Sequence, residues 1–137
     1  MKIIDAHLHV FPEETPAGGG EGAGSCDSIR RLRQAYGELG IVHGVVMGNR
    51  SLEPAYHDYP ADLFYYCIGL DSSLLSGGAS IRPDLADKVE ENLARDGCCG
   101  VKLYPGYNRI SLDDPVYEPI YALAAHYGKP VAVHMGL

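Results

Sequence analysis

Basic residues are scarce relative to acidic ones. The 137-residue chain carries 11 Lys and Arg against 18 Asp and Glu, a formal charge of −7. They form no basic patch, which argues against nucleic acid as a partner. Cysteine is sparse, and Cys26, Cys67, Cys98 and Cys99 form no Cys-x-x-Cys. That is the usage of a reducing compartment, with cysteine serving as a small core residue. No apolar run is long enough to cross a membrane, and no signal peptide precedes the first strand. A strict Gly-x-Gly-x-x-Gly is missing too. Gly18, Gly20 and Ala23 fit a looser form, but eight residues past the strand, and no Lys is there for a phosphate loop. Residues 12–25 therefore read as a loop rather than a nucleotide site. What remains is one cytoplasmic, enzyme-like domain spanning 1–137, with a small molecule as its partner and neither nucleic acid nor membrane.

What the chain does have is Ile3-Ile4-Asp5-Ala6-His7-Leu8-His9-Val10-Phe11. It reads as a buried strand. Alternation puts Asp5, His7 and His9 on one face and Ile4, Ala6, Leu8 and Val10 on the other. A face holding two imidazoles suits a divalent metal, which takes neutral imidazole nitrogens. His-x-His alone is equally the pattern of two core histidines. The far end of the chain repeats the theme, with Pro130-Val131-Ala132-Val133-His134 forming an apolar strand that ends in histidine.

Between these ends strand and helix alternate. Asp27 is placed to cap a helix with Ile29, Leu32, Tyr36 and Leu39 on its inner face, closed by Gly40. Arg30, Arg31 and Arg33 read as its solvated face. Val42 to Met47 and Leu63 to Leu70 are apolar strands. The segment between them reads as loop or short helix, with His57 at the surface. Pro83 opens a helix repeating Leu85, Val89 and Leu93, ended by Gly97. Cys98 to Tyr104 is a fourth strand. Asp114 caps a third helical region, with Val116, Ile120, Leu123, Ala124 and Tyr127 inward. Pro119 suggests that the regular helix starts near it. Pro130 to His134 is the fifth strand.

Five apolar strands separated mostly by helices mean a parallel sheet with right-handed crossovers. An open doubly wound sheet and part of a (β/α)8 TIM-type barrel both fit. The histidines favour the barrel, because only there do the carboxyl ends of the first and fifth strands surround one mouth. In Gly100-Val101-Lys102-Leu103-Tyr104-Pro105, alternation groups Cys98, Gly100, Lys102 and Tyr104. A lysine buried in mid-strand needs a partner or a role. Pairing with Asp5 and participation in a site are both open for Lys102. Asn49, Arg50, Tyr104, Tyr107 and Arg109 lie just past strand ends, where they are candidates to bind substrate.

The segments IDAHLHVF, GVKLYPGY and PVAVHMG, in that order, resemble the amidohydrolase superfamily. The branch they are most similar to is the amidohydrolase-2 family, which includes metal-dependent hydrolases and decarboxylases of the aminocarboxymuconate-semialdehyde type. DPVYEPIYALAAHYGKPVAVHMG also resembles that family's fourth helix and fifth strand. The resemblance spans the whole chain.

This resemblance implies a metal-centred (β/α)8 barrel of which about the first five β/α units are present. It implies His7, His9 and His134 as metal ligands, with zinc the usual ion. Lys102 falls at the fourth-strand position, a carbamylated metal-bridging lysine in some superfamily members, and is the catalytic candidate. The implied chemistry is hydrolysis by metal-activated water, or decarboxylation in the same shell. The family's pattern continues with a sixth-strand histidine and an eighth-strand aspartate, and no residue after His134 can supply them. A full barrel takes roughly 250 residues. The expectation is a chain that is inactive alone and that self-associates or lacks a C-terminal portion. A phosphoesterase of the polymerase-and-histidinol-phosphatase type also opens with Asp-x-His-x-His, but Gly-Val-Lys-Leu-Tyr-Pro argues against it. A non-catalytic metal-binding half-barrel acting in an assembly is the other alternative.

Overall fold

The computed structural model describes residues 1–10, 29–48, 51–70 and 83–136. Five strands form one sheet: β1 Ile3–Leu8, β2 Ile41–Gly48, β3 Phe64–Leu70, β4 Cys98–Leu103 and β5 Val131–Val133. Their spatial order is their chain order, and every pairing is parallel. A doubly wound sheet reverses its strand order at a switch point, whereas a barrel adds strands in sequence. These are therefore five consecutive strands of a (β/α)8-type wall. Laid flat they would hold β1 and β5 roughly 19 Å apart, at about 4.8 Å per step. A barrel wall curls instead of lying flat, and these five strands form a half-barrel of that kind.

The helices are α1 Ile29–Leu39, α2 Leu85–Leu93, the short α3 Pro105–Asn108 and α4 Glu118–His126, with 3-10 turns at Pro54–His57 and Pro115–Tyr117. Alternation along the strands divides the side chains. Val46, Phe64, Tyr66, Ile68, Leu70, Val101 and Leu103 join Tyr36, Leu85, Val89, Leu93, Ile120 and Ala124 in one apolar core between the sheet and its helices. The opposite face is the barrel interior. No helix among the described residues is long and apolar enough to cross a membrane.

Most helix boundaries follow the sequence. Gly40 closes α1 at φ +72°, a conformation that glycine adopts without strain. Asp114 accepts a hydrogen bond from the Val116 amide at 3.0 Å and caps the 3-10 turn rather than α4. Pro119 lies in the first turn of α4, where its missing N–H costs nothing. Asp27 and the glycine-rich stretch 12–25 lie outside the described residues.

Arg33 lies on the solvated face of α1 and pairs there with Asp62. Two expectations need correction. Leu39 is exposed and does not join the inner face of α1. His57 is buried, at 2% exposure, not superficial. Its ring stacks on Tyr66 with centroids 4.9 Å apart, and its Nε2 donates to the Ser51 carbonyl at 2.8 Å. The 3-10 turn that carries His57 covers β2 and β3 where a crossover helix would lie. Beneath it Asn92 of α2 ties the layers together. It accepts from the Tyr66 hydroxyl at 2.9 Å and donates to the carbonyls of Leu52 and Lys88, each at 2.8 Å.

Candidate metal centre

β1 brings two imidazoles to the carboxyl end of the sheet. The His7 and His9 rings lie 5.3 Å apart between centroids and cross at 68°. His9 Nδ1 is 3.2 Å from the Met47 carbonyl. A carbonyl only accepts, so Nδ1 carries the proton and Nε2 keeps a free lone pair. This is the outer-sphere bond that orients a metal-binding histidine. The pKa of His7 is held below the ordinary 6.5. Desolvation is the main cause, followed by the charges of Lys102, His9 and His134; Asp5 opposes them. A neutral imidazole is the form that binds a metal.

Asp5 does not join the histidine face. It pairs in register with Gly44 and Leu8 with Val46, so three steps of β1 match two of β2. That irregularity returns Asp5 and Leu8 to the same side. Asp5 accepts from the Tyr36 hydroxyl of α1 at 3.3 Å, and burial together with this carboxylate pushes the Tyr36 pKa up to about 12. The His7 amide donates to the other Asp5 oxygen at 3.2 Å. Gly44 leaves room for this arrangement, since a Cβ there would lie 2.5 Å from the Tyr36 oxygen.

β4 carries Lys102 into the interior. The residue is buried at 2% exposure, and burial lowers its pKa. Among the described residues it makes no ion pair, and Asp5 is engaged elsewhere. Its Nζ stands 5.4 Å from the centroid of the Tyr104 ring, within cation–π range. His134 follows β5, and its amide extends the ladder by donating to the Leu103 carbonyl at 2.9 Å. The His134 ring lies 5.7 Å from Tyr104 and 5.2 Å from Tyr107 between centroids. Lys102, Tyr104, Tyr107 and His134 thus form one group, and His7 and His9 face it across the curl.

The remaining candidates fall elsewhere. Arg109 is exposed past the end of α3, in the left-handed region at φ 54°. Asn49 and Arg50 lie outside the described residues. Cys98 was grouped with Lys102 by alternation but belongs to the core under the helices. The cause is a bulge: Tyr66 pairs with Cys98 while the next residue, Cys67, pairs with Gly100. The extra residue, Cys99, has no partner in the ladder and inverts the alternation before it.

Two features were not legible beforehand. Asn108 is buried and donates to the Leu70 carbonyl at 3.1 Å, which fixes α3 and Tyr107 against the end of β3. A single asparagine in a Pro-Gly-Tyr-Asn turn carries no periodic signal. The other is the Cys67–Cys99 contact, 3.8 Å between sulfurs, at the bulge.

Among the described residues no three His, Cys, Asp or Glu side chains close into a metal-binding group. The donor chemistry still fits a divalent ion. Two imidazoles share one face, the Nδ1 of one is held by a carbonyl, and a third stands at the end of β5. In comparisons with known proteins, the family model described as Amidohydrolase matches residues 4–137. No curated protein and no solved structure matched the chain. A match over nearly the full length, on five sequential parallel strands with histidines at the first and fifth carboxyl ends, leads to one conclusion: the chain belongs to the amidohydrolase family.

Proposed function

We propose that the chain forms the metal-binding half of a hydrolase that cleaves C–N or C–O bonds in a small molecule. Family membership supports metal-dependent hydrolase chemistry in general terms. The observation that carries the specific reading is the placement of three histidines at the carboxyl ends of the first and last strands: the His7 and His9 rings 5.3 Å apart at the end of β1, and His134 directly after β5. His7, His9 and His134 would hold one divalent ion, with zinc the natural choice for imidazole donors. When bound, such an ion supplies Lewis acidity, polarising a carbonyl and acidifying water.

The other roles belong to the chain's own side chains. Lys102 keeps a buried amine beside the histidines, where desolvation favours its neutral form and makes it able to accept or donate a proton. Tyr104 and Tyr107 flank His134 and offer an aromatic wall with hydroxyls for a planar substrate group. Arg109, exposed just past α3, and Arg50 would supply positive charge for an acidic substrate, with Asn49 a hydrogen-bonding candidate. The sheet edges belong to the same reading. Ile3 and Ile4 on β1 are exposed, at 36% and 62%, and β5 is only partly covered. We assign both edges to association, either with further strands of a barrel or with a second copy.

A panel of ester, amide and decarboxylation substrates with added zinc tests the reading. The 137-residue chain alone should bind zinc without turnover. A barrel containing these five strands should hydrolyse a carboxamide or ester and lose activity on chelation and in His134→Ala. Zinc-independent turnover by either species contradicts the proposal, and carbon dioxide release in place of hydrolysis redirects it to decarboxylation.

A further inference from the structure

Cys67 and Cys99 take no part in the chemistry above. Cys67 lies in β3 and Cys99 in β4, and their sulfurs are 3.8 Å apart. Cys67 pairs in the ladder with Gly100, and the bulge leaves Cys99 unpaired with its sulfur against that of Cys67. Gly100 completes the arrangement, since a Cβ there would crowd the Cys67 sulfur at 3.2 Å. The two cysteines differ in access, Cys67 being buried and Cys99 half-buried, while Cys98 is sealed in the helix-side core. A disulfide holds its sulfurs about 2.05 Å apart, so the 3.8 Å contact needs only a modest approach of the two side chains to close.

We propose that Cys67 and Cys99 form a reversible dithiol–disulfide pair, a modification site in which hydrogen peroxide oxidises Cys99 and Cys67 resolves it. The Cys99 thiolate attacks one peroxide oxygen and the O–O bond breaks. Hydroxide leaves and takes a proton to become water. Cys67 sulfur then attacks the sulfenic sulfur of Cys99. The S–O bond breaks, the S–S bond forms, and the departing hydroxide takes the Cys67 proton as a second water. Two thiols are oxidised and one peroxide is reduced to two waters. The contact between the two sulfurs holds the Cys99 thiol below its usual range and pushes that of Cys67 up, so the thiolate falls on Cys99, the more accessible of the two. The cross-link would tie β3 to β4 on the face that carries Lys102, so oxidation state and the candidate site share one pair of strands.

The test exposes the native chain to hydrogen peroxide, blocks remaining thiols with an alkylating agent and maps unreduced peptides by mass spectrometry. The expected result is loss of two of the four thiols, one cross-linked peptide pair joining Cys67 to Cys99, and full recovery with dithiothreitol. Cys98 should be alkylated only after denaturation. In Cys67→Ser the sulfenic acid on Cys99 should persist and be trapped by dimedone. If that variant does not fold, the wild-type map decides alone. Oxidation of Cys99 to sulfinic acid without a cross-link, or linkage of Cys99 to Cys26, Cys98 or a second chain, overturns the proposal.

Discussion

Gly100→Ala tests whether the bulge in β4 sets the position of β5. An ideal Cβ at residue 100 would lie 2.6 Å from the Pro130 carbonyl oxygen, 3.2 Å from the Cys67 sulfur and 3.4 Å from Pro130 Cγ. The first contact is with backbone and cannot be relieved by a rotamer change. The same Pro130 oxygen accepts the Val101 amide at 3.0 Å, the bond that begins the β4–β5 ladder. Overpacking costs about 1–3 kcal/mol, and losing one backbone hydrogen bond costs about 1 kcal/mol more. The variant should therefore lose roughly 2–4 kcal/mol, which lowers a urea midpoint by about 1–2 M for a protein of this size. Because His134 follows β5 directly, zinc affinity should fall as well. Gly37→Ala is the matched control. It lies within α1 with nothing inside 4 Å of its Cβ, so it should stabilise by about 0.5–1 kcal/mol. Both substitutions restrict the unfolded chain alike, so their difference isolates the folded-state clash. Equal midpoints for Gly100→Ala and wild type would refute the reasoning.

Two further outcomes follow from the buried charges. Lys102→Met should abolish hydrolysis by a complete barrel yet leave the half-barrel at least as stable near neutral pH, as equilibrium denaturation would show. The folded-state pKa of Lys102 is depressed, so the unfolded chain binds more protons, and the wild type gains stability as pH rises toward 10.5. The advantage of Lys102→Met should accordingly shrink over that window, and an advantage that grows would contradict the sign. His7 should titrate below 6.5 by NMR, and Lys102→Met should move its midpoint upward, because Lys102 is one of the charges holding it down. An unchanged His7 midpoint would separate the two residues.

The sequence was most informative where periodicity was uninterrupted. The apolar runs of β2, β3 and β5 and the four-residue spacing in α2 located those elements nearly to the residue. Sequential order in the sheet followed from placing histidines at both ends of the chain. Alternation failed wherever the ladder slipped. An extra residue in β1 turned Asp5 away from His7, and the bulge at Cys99 sent Cys98 to the helix side. Such slips are set by packing against neighbouring strands, and residue type alone does not mark them. His57 was misplaced for a related reason. The short segment read as loop or short helix does form a 3-10 turn, but it packs inward and buries its histidine against Tyr66.

The central claim is that His7, His9 and His134 hold one metal ion across the curled sheet. The direct test is zinc stoichiometry and affinity of the chain by calorimetry, for wild type and for His7→Ala, His9→Ala and His134→Ala. One zinc per chain is predicted for the wild type, with binding weakened at least tenfold in each variant, about 1.4 kcal/mol or more. Wild-type affinity in His134→Ala would contradict the account, because it would confine the ion to β1.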